Sequence, residues 1–206
     1  MNKILPITLL SLALLVFATM LLVVVPAVQI RGKSPTPGLR HYTATELHGR
    51  SIYIREGCVY CHSQQPRSTD QAPDVERGWG RASVATDYMF DKPHLLGTMR
   101  SGPDLLNIGA RMPSTQWHLT HLYQPRAIYP WSIMPSYRYL FEVKPRLEPG
   151  DVAVWLPDGQ RLAGGTVVAS RDAQDLVAYL LSLDRTYPAP VDGVRDDGFA
   201  EKGGAK

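Results

Sequence analysis

No charged residue interrupts the chain from Ile4 to Ile30, a run of mostly Leu, Val, Ile and Ala with Pro6 and Pro26 near its ends. Roughly 20 apolar residues span a bilayer, so the pattern predicts a transmembrane helix over residues 1–31. A cleaved signal peptide is the competing reading, with Met1-Asn2-Lys3 as its n-region and small residues at Val25-Pro26-Ala27. Signal h-regions run about 7–15 residues; this one is nearly twice that, so a retained anchor is expected. Residues 32–42 then turn polar, with two Pro, a Ser and Gly, and read as a short stiff linker.

A domain over 43–184 follows. Thr43-x-x-Glu46 has the form of a capping box, and the helix it opens would carry Leu47, Ser51 and Ile54 on one face and a Glu46–Arg50 pair at i,i+4. From 63 to 101 no period is sustained; Pro, Gly, Asp and Arg mix with Trp79, Tyr88 and Phe90, and an ordered excursion is expected. Ser114 is placed to cap a short helix through Trp117, His118, Leu119, His121 and Leu122 that ends at Pro125. Residues 151–170 read as a hairpin: Val152, Val154 and Leu156 alternate, Asp158-Gly159 turns, and Thr166-Val167-Val168 returns. From Arg171 to Leu183, Ala173, Leu176, Val177 and Leu180 recur at i, i+3, i+4, i+7, the stripe of an amphipathic helix. The polar, Gly-rich stretch 185–206 is expected to be disordered. The fold class is mainly α, with long loops and a small β-hairpin.

Charge narrows the function. The chain of 206 residues carries a net +3 with its basic residues scattered, which argues against a nucleic-acid partner. Seventeen Pro and seventeen Gly imply a loop-rich fold, whose modest core gains if a bound group completes it.

The decisive chemistry is Cys58-Val59-Tyr60-Cys61-His62, the C-x-x-C-H pattern that attaches a c-type haem. Two thiols one turn apart can add across the two vinyl groups of one haem, and the adjacent His can donate a ring nitrogen to its iron. A thioredoxin-like redox pair would belong in a βαβ context, whereas here a helix leads into the motif. A structural zinc site would need two further Cys or His at paired spacing; both cysteines of the chain are already in the motif, and only His118 and His121 lie close together. The haem reading outweighs both.

Gly102-Pro103-Asp104-Leu105 with Gly109-Ala110-Arg111, and the late Met134-Pro135, resemble the pattern of class I cytochromes c. The resemblance implies that the Pro103 carbonyl accepts a hydrogen bond from the axial His62, that Arg111 pairs with a haem propionate, and that Met134 is the second axial ligand. Met89, Met99 and Met112 are rivals, and His118 and His121 could form a bis-His site; Pro135 and the flanking Tyr129, Trp131 and Tyr137 favour Met134, and the two histidines read as ordinary packing. In that family the last helix crosses the first near the haem, and the helix at 171–183 resembles it.

Taken jointly, Arg55 to Gln64, Gly102 to Leu105, Trp117-His118, Gln124-Pro125-Arg126 and Met134-Pro135-Ser136-Tyr137 resemble the mono-haem cytochrome c subunit (subunit II) of cbb(3)-type cytochrome c oxidases, over roughly residues 1–140 plus the last helix. The resemblance implies one covalent haem c and a haem–copper catalytic subunit as electron acceptor. It further implies a cytochrome c subunit or soluble cytochrome c as donor, and no catalysis by the chain alone. Because haem c is attached outside the cytoplasm, it implies an inner-membrane anchor with the haem domain in the periplasm. The chain departs from the family after His62, where Ser63-Gln64-Gln65-Pro66-Arg67 stands, and in the 151–170 segment. A nitric oxide reductase subunit, a free-standing anchored shuttle and a peroxidase-like haem enzyme are the alternatives.

Overall fold

The computed structural model describes residues 4–189. Helix α1, Ile4–Arg31, has a mean hydropathy of 2.8 and no buried residue. At 1.5 Å per residue it is about 42 Å long, sufficient to cross a hydrocarbon core of about 30 Å. One turn, Met20–Val24, widens to a π-helix in which the Val25 N–H bonds the Met20 carbonyl. Pro26 explains it: proline has no N–H for the Leu22 carbonyl and its ring crowds the preceding turn.

The linker does not hang free. Thr36 is buried, and its hydroxyl meets that of Thr86 at 2.7 Å. Thr43 then caps α2, Ala44–Arg55, in a complete capping box with Glu46. The buried face of α2 is Glu46, Gly49, Arg50, Ile52 and Tyr53, whereas Leu47 and Ile54 are exposed; the expected Leu47–Ser51–Ile54 face is therefore the outer one. The expected Glu46–Arg50 pair is also absent. Glu46 takes both Nη atoms of Arg40 at 2.7 and 2.5 Å, and buried Arg50 donates to the carbonyls of Lys92 and Pro93. A 12-residue helix with two polar side chains on its inner face defeats a purely apolar period.

Short α3, Ile108–Arg111, and α4, Thr115–Tyr123 with Ser114 as its cap, follow. Strand β1, Phe141–Lys144, pairs antiparallel with β2, Thr166–Ala169, in the register Phe141 opposite Ala169. The expected 151–170 hairpin is present in short form, and β1 adds a further strand to β2. The Val152–Leu156 arm pairs antiparallel with β2 through a bridge of Ala153 to Val168, with the Val154 N–H on the Val167 carbonyl at 2.8 Å and the Ala169 N–H on the Val152 carbonyl at 2.9 Å. Its inner side chains Val154 and Leu156 are buried as the alternation requires. Gln116 and Thr120 of α4 hold the Ala153 carbonyl and the Trp155 N–H and carbonyl, the backbone groups on the arm's other edge, away from β2.

Helix α5, Arg171–Ser182, buries Ala173, Leu176, Val177 and Leu180 and crosses α2. Gly49 is the contact point: a Cβ there would lie 1.8 Å from the Asp175 carbonyl oxygen. Beside it Tyr53 meets Tyr179 edge to face at 5.5 Å. The two helices with Leu105, Ile108, Leu119 and Leu122 form the core.

The 63–101 excursion folds back on this core around two buried carboxylates. Asp87 takes Arg81 through both oxygens at 2.8 and 2.9 Å, and Asp74 takes Arg100 at 2.7 Å. The tail is ordered beyond its expected start: Arg185 is buried with its N–H on Asn107 Oδ1 at 2.7 Å. The remainder of the expected disordered segment, 190–206, and Met1–Lys3 lie outside the described residues.

Candidate haem site

Helix α2 ends at Gly57, whose φ of 72° is left-handed and open to glycine at little cost. A single 3-10 turn, Cys58–Tyr60, follows, and the Cys58 carbonyl accepts from both Cys61 N at 3.2 Å and His62 N at 3.0 Å. That one carbonyl gathers the two thiols and the imidazole onto one tight turn. Cys58 is half-buried and Cys61 exposed. Burial pushes the Cys58 thiol up to about 12.

The His62 ring is fixed from one side. Its Nδ1 lies 2.8 Å from the Pro103 carbonyl oxygen, which can only accept, so Nδ1 carries the proton and Nε2 keeps its lone pair. Burial lowers the His62 pKa, against the pull of the Pro103 carbonyl. Gly102 lies against the ring edge: a Cβ there would be 2.2 Å from His62 Cε1. Asp104, fully buried, holds this corner together. Its carboxylate accepts from Ser63 Oγ at 2.6 Å, Gln65 N at 2.7 Å and Leu106 N at 2.9 Å. Burial nevertheless raises its pKa.

Arg111 donates through Nη2 to the Asp104 backbone carbonyl, while its buried Nε has no partner among the described residues. Burial lowers the pKa of this guanidinium. An arginine that feels Asp104 but makes no ion pair among the described residues suits an anion such as a haem propionate, so the donor set fits the group.

Met134 is half-buried and packs against the core. Its loop is clamped from Gln124-Pro125-Arg126: Arg126 donates to the Ser132 carbonyl at 2.9 Å and to that of Met134 at 3.3 Å, and Ser136 Oγ donates to Gln124 Oε1 at 2.8 Å. Among the rival methionines, Met99 is 57% exposed. His118 is buried with Nε2 2.8 Å from the Met112 carbonyl, and burial brings its pKa down to about 4. Among the described residues no three His, Cys, Asp or Glu side chains group to hold a metal ion, so C-x-x-C has no further ligands for zinc there.

Over residues 2–152 the chain matches the family model described as cytochrome C oxidase, mono-heme subunit/FixO. The chain belongs to this family. Among curated proteins none matches it. The FixO match makes the protein a mono-haem subunit of a cytochrome c oxidase complex, and its single N-terminal apolar helix fits a membrane anchor. The match ends before α5, although α5 forms half of the central crossing.

Sequence reasoning missed three FixO-chain residues that organise the site. Asp104 was passed over inside G-P-x-L, where a buried Asp is visible only through its three donors. Gly49 gave a usable signal, a glycine one turn before a tyrosine in an otherwise helical run. Gln64, whose Nε2 lies 3.1 Å from Tyr179 Oη, gave none.

Proposed function

We propose that this FixO-family subunit is a membrane-anchored electron carrier holding one covalent haem c. Cys58 and Cys61 form its thioethers, and His62 and Met134 are its axial ligands. The observation that carries the reading is the single turn presenting both thiols and His62 with His62 Nδ1 committed to the Pro103 carbonyl. When bound, the haem supplies a one-electron iron couple. The chain's residues do the rest. Pro103 orients the imidazole and raises its basicity, Met134 offers a soft thioether that favours a high potential, and Arg111 Nε is available to a propionate. With His62 and Met134 both holding the iron, no open position would be left for a substrate; the subunit would then pass electrons to a haem–copper catalytic subunit of the cbb(3) type and perform no turnover alone. On this reading its donor is a further cytochrome c subunit or soluble cytochrome c. The haem domain lies on the periplasmic side of a bacterial inner membrane, where thioethers to haem are made.

The test is purification in mild detergent, with haem staining after denaturing electrophoresis. Retained stain and a co-purifying oxygen-reducing subunit are expected. A partner that reduces nitric oxide but not oxygen would overturn the oxidase assignment, and an unstained chain would overturn the carrier itself.

A further inference from the structure

The two histidines of α4 are differently employed. His118 is spent on the Met112 carbonyl. His121 Nδ1 is buried and has no hydrogen-bond partner among the described residues, as is true of Arg111 Nε. A buried polar atom left unsatisfied costs about 1–3 kcal/mol, so each calls for an acceptor or donor that the chain does not supply. The plane of the His121 ring is set by its stack on Trp117, centroids 4.8 Å apart and 14° from parallel, and by the Tyr129 edge at 6.0 Å. Both unpartnered atoms lie within electrostatic reach of His62, and Arg111 also feels Tyr129. No carboxylate acts on His121: burial, His118 and His62 all lower its pKa, to about 4, so the ring is neutral.

We propose that His121 Nδ1–H is a second hydrogen-bond donor, beside Arg111, to a haem propionate, making His121 a positioning residue that tunes the iron's potential. The proposal rests on the haem-carrier reading above. A neutral imidazole has one N–H, and a carboxylate facing Nδ1 selects the tautomer that carries it there. Drawing negative charge from a propionate makes the reduced iron relatively more favourable, so the bond raises the potential.

The experiment is redox titration of the full-length holoprotein in detergent, each variant first shown to retain covalent haem. His121→Phe keeps a ring on Trp117 and removes the donor. Its potential is expected to fall by the equivalent of about a three- to tenfold change in the oxidised-to-reduced ratio, tenfold being about 59 mV for one electron. His121→Gln keeps an N–H and is expected to recover most of the wild-type value. An unchanged potential in His121→Phe overturns the proposal while the haem-carrier reading stands; a wild-type chain without covalent haem overturns both. Should His121→Phe fail to mature, reduced wild-type protein labelled with 15N-histidine decides. A slowly exchanging His121 Nδ1–H with a contact to a propionate methylene supports the proposal, and an Nε2–H tautomer overturns it.

Discussion

Gly49→Ala isolates the crossing of α2 and α5. The added Cβ would stand 1.8 Å from the Asp175 carbonyl oxygen and 2.9 Å from Tyr179 Cβ. Ordinary contact begins near 3.4 Å, so α5 must retreat by about 1.6 Å. The obstacle is helix backbone, which cannot rotate aside. A radial gap of even 1 Å forfeits a quarter to a half of the dispersion well for the atoms across it, and Tyr53, Tyr179 and Leu176 meet there. Overpacking costs about 1–3 kcal/mol, and backbone places this case at the upper end, about 3 kcal/mol. Replacing an interior helix glycine by alanine gains about 1 kcal/mol. The net loss of about 2 kcal/mol corresponds, in a chain of this length, to a Tm lower by about 4–8 °C. The assay is thermal unfolding of the full-length holoprotein in detergent, followed by far-ultraviolet circular dichroism. Ser51→Ala on the exposed face is the control, expected within about 0.5 kcal/mol of wild type. An equal or higher Tm for Gly49→Ala would refute the close crossing, since propensity alone then governs.

Met134→Ala is expected to abolish the near-infrared absorbance of the oxidised protein and lower its potential, with covalent haem retained; persistence of the band points to another methionine. Gly102→Ala forces a Cβ into the His62 ring, so its bond to Pro103 breaks; the electron paramagnetic resonance signal of the oxidised haem should change, and an unchanged signal would contradict the packing. At Asp74 burial acts upward, but the Arg100 guanidinium and the Arg67 N–H outweigh it and hold the carboxyl below its usual range. Its stabilisation is therefore complete above the unfolded value of about 3.9 and lost as pH falls through the lower folded value. Hydrogen exchange over 65–100 should accelerate in that window, and Asp74→Asn, which removes the closest carboxylate of Arg100 but leaves Asp104 at 3.7 Å, should accelerate it at neutral pH by about 2 kcal/mol of local stability.

The parts legible in the sequence were those governed by local rules. Thr43 and Ser114 act through hydrogen bonds three residues away, and the α5 stripe needs only helical geometry, so both could be read from spacing. The inner face of α2 could not, because Arg50 and Glu46 are buried through carbonyls at 92–93 and a guanidinium at 40 that no period encodes. The hairpin at 151–170 was legible through its alternation and turn, and the arm at 152–156 does pair with β2. The second partner of β2, Phe141–Lys144, was not, because no turn in the sequence links the two strands. At the site, Cys58, Cys61 and His62 are one turn and announce themselves. Asp104 and His121 matter through what reaches them from elsewhere.

Only four residues separate Arg31, the last of α1, from buried Thr36. Fully extended, the five steps from Arg31 to Thr36 reach about 17 Å, and Thr36 is already fastened to Thr86 on the excursion. A head on so short a leash sweeps almost no volume above the lipid. On the proposed reading as an anchored carrier, its redox partners must come to it or be built around it, which suits a fixed station in an assembly and leaves a roving courier little room to work.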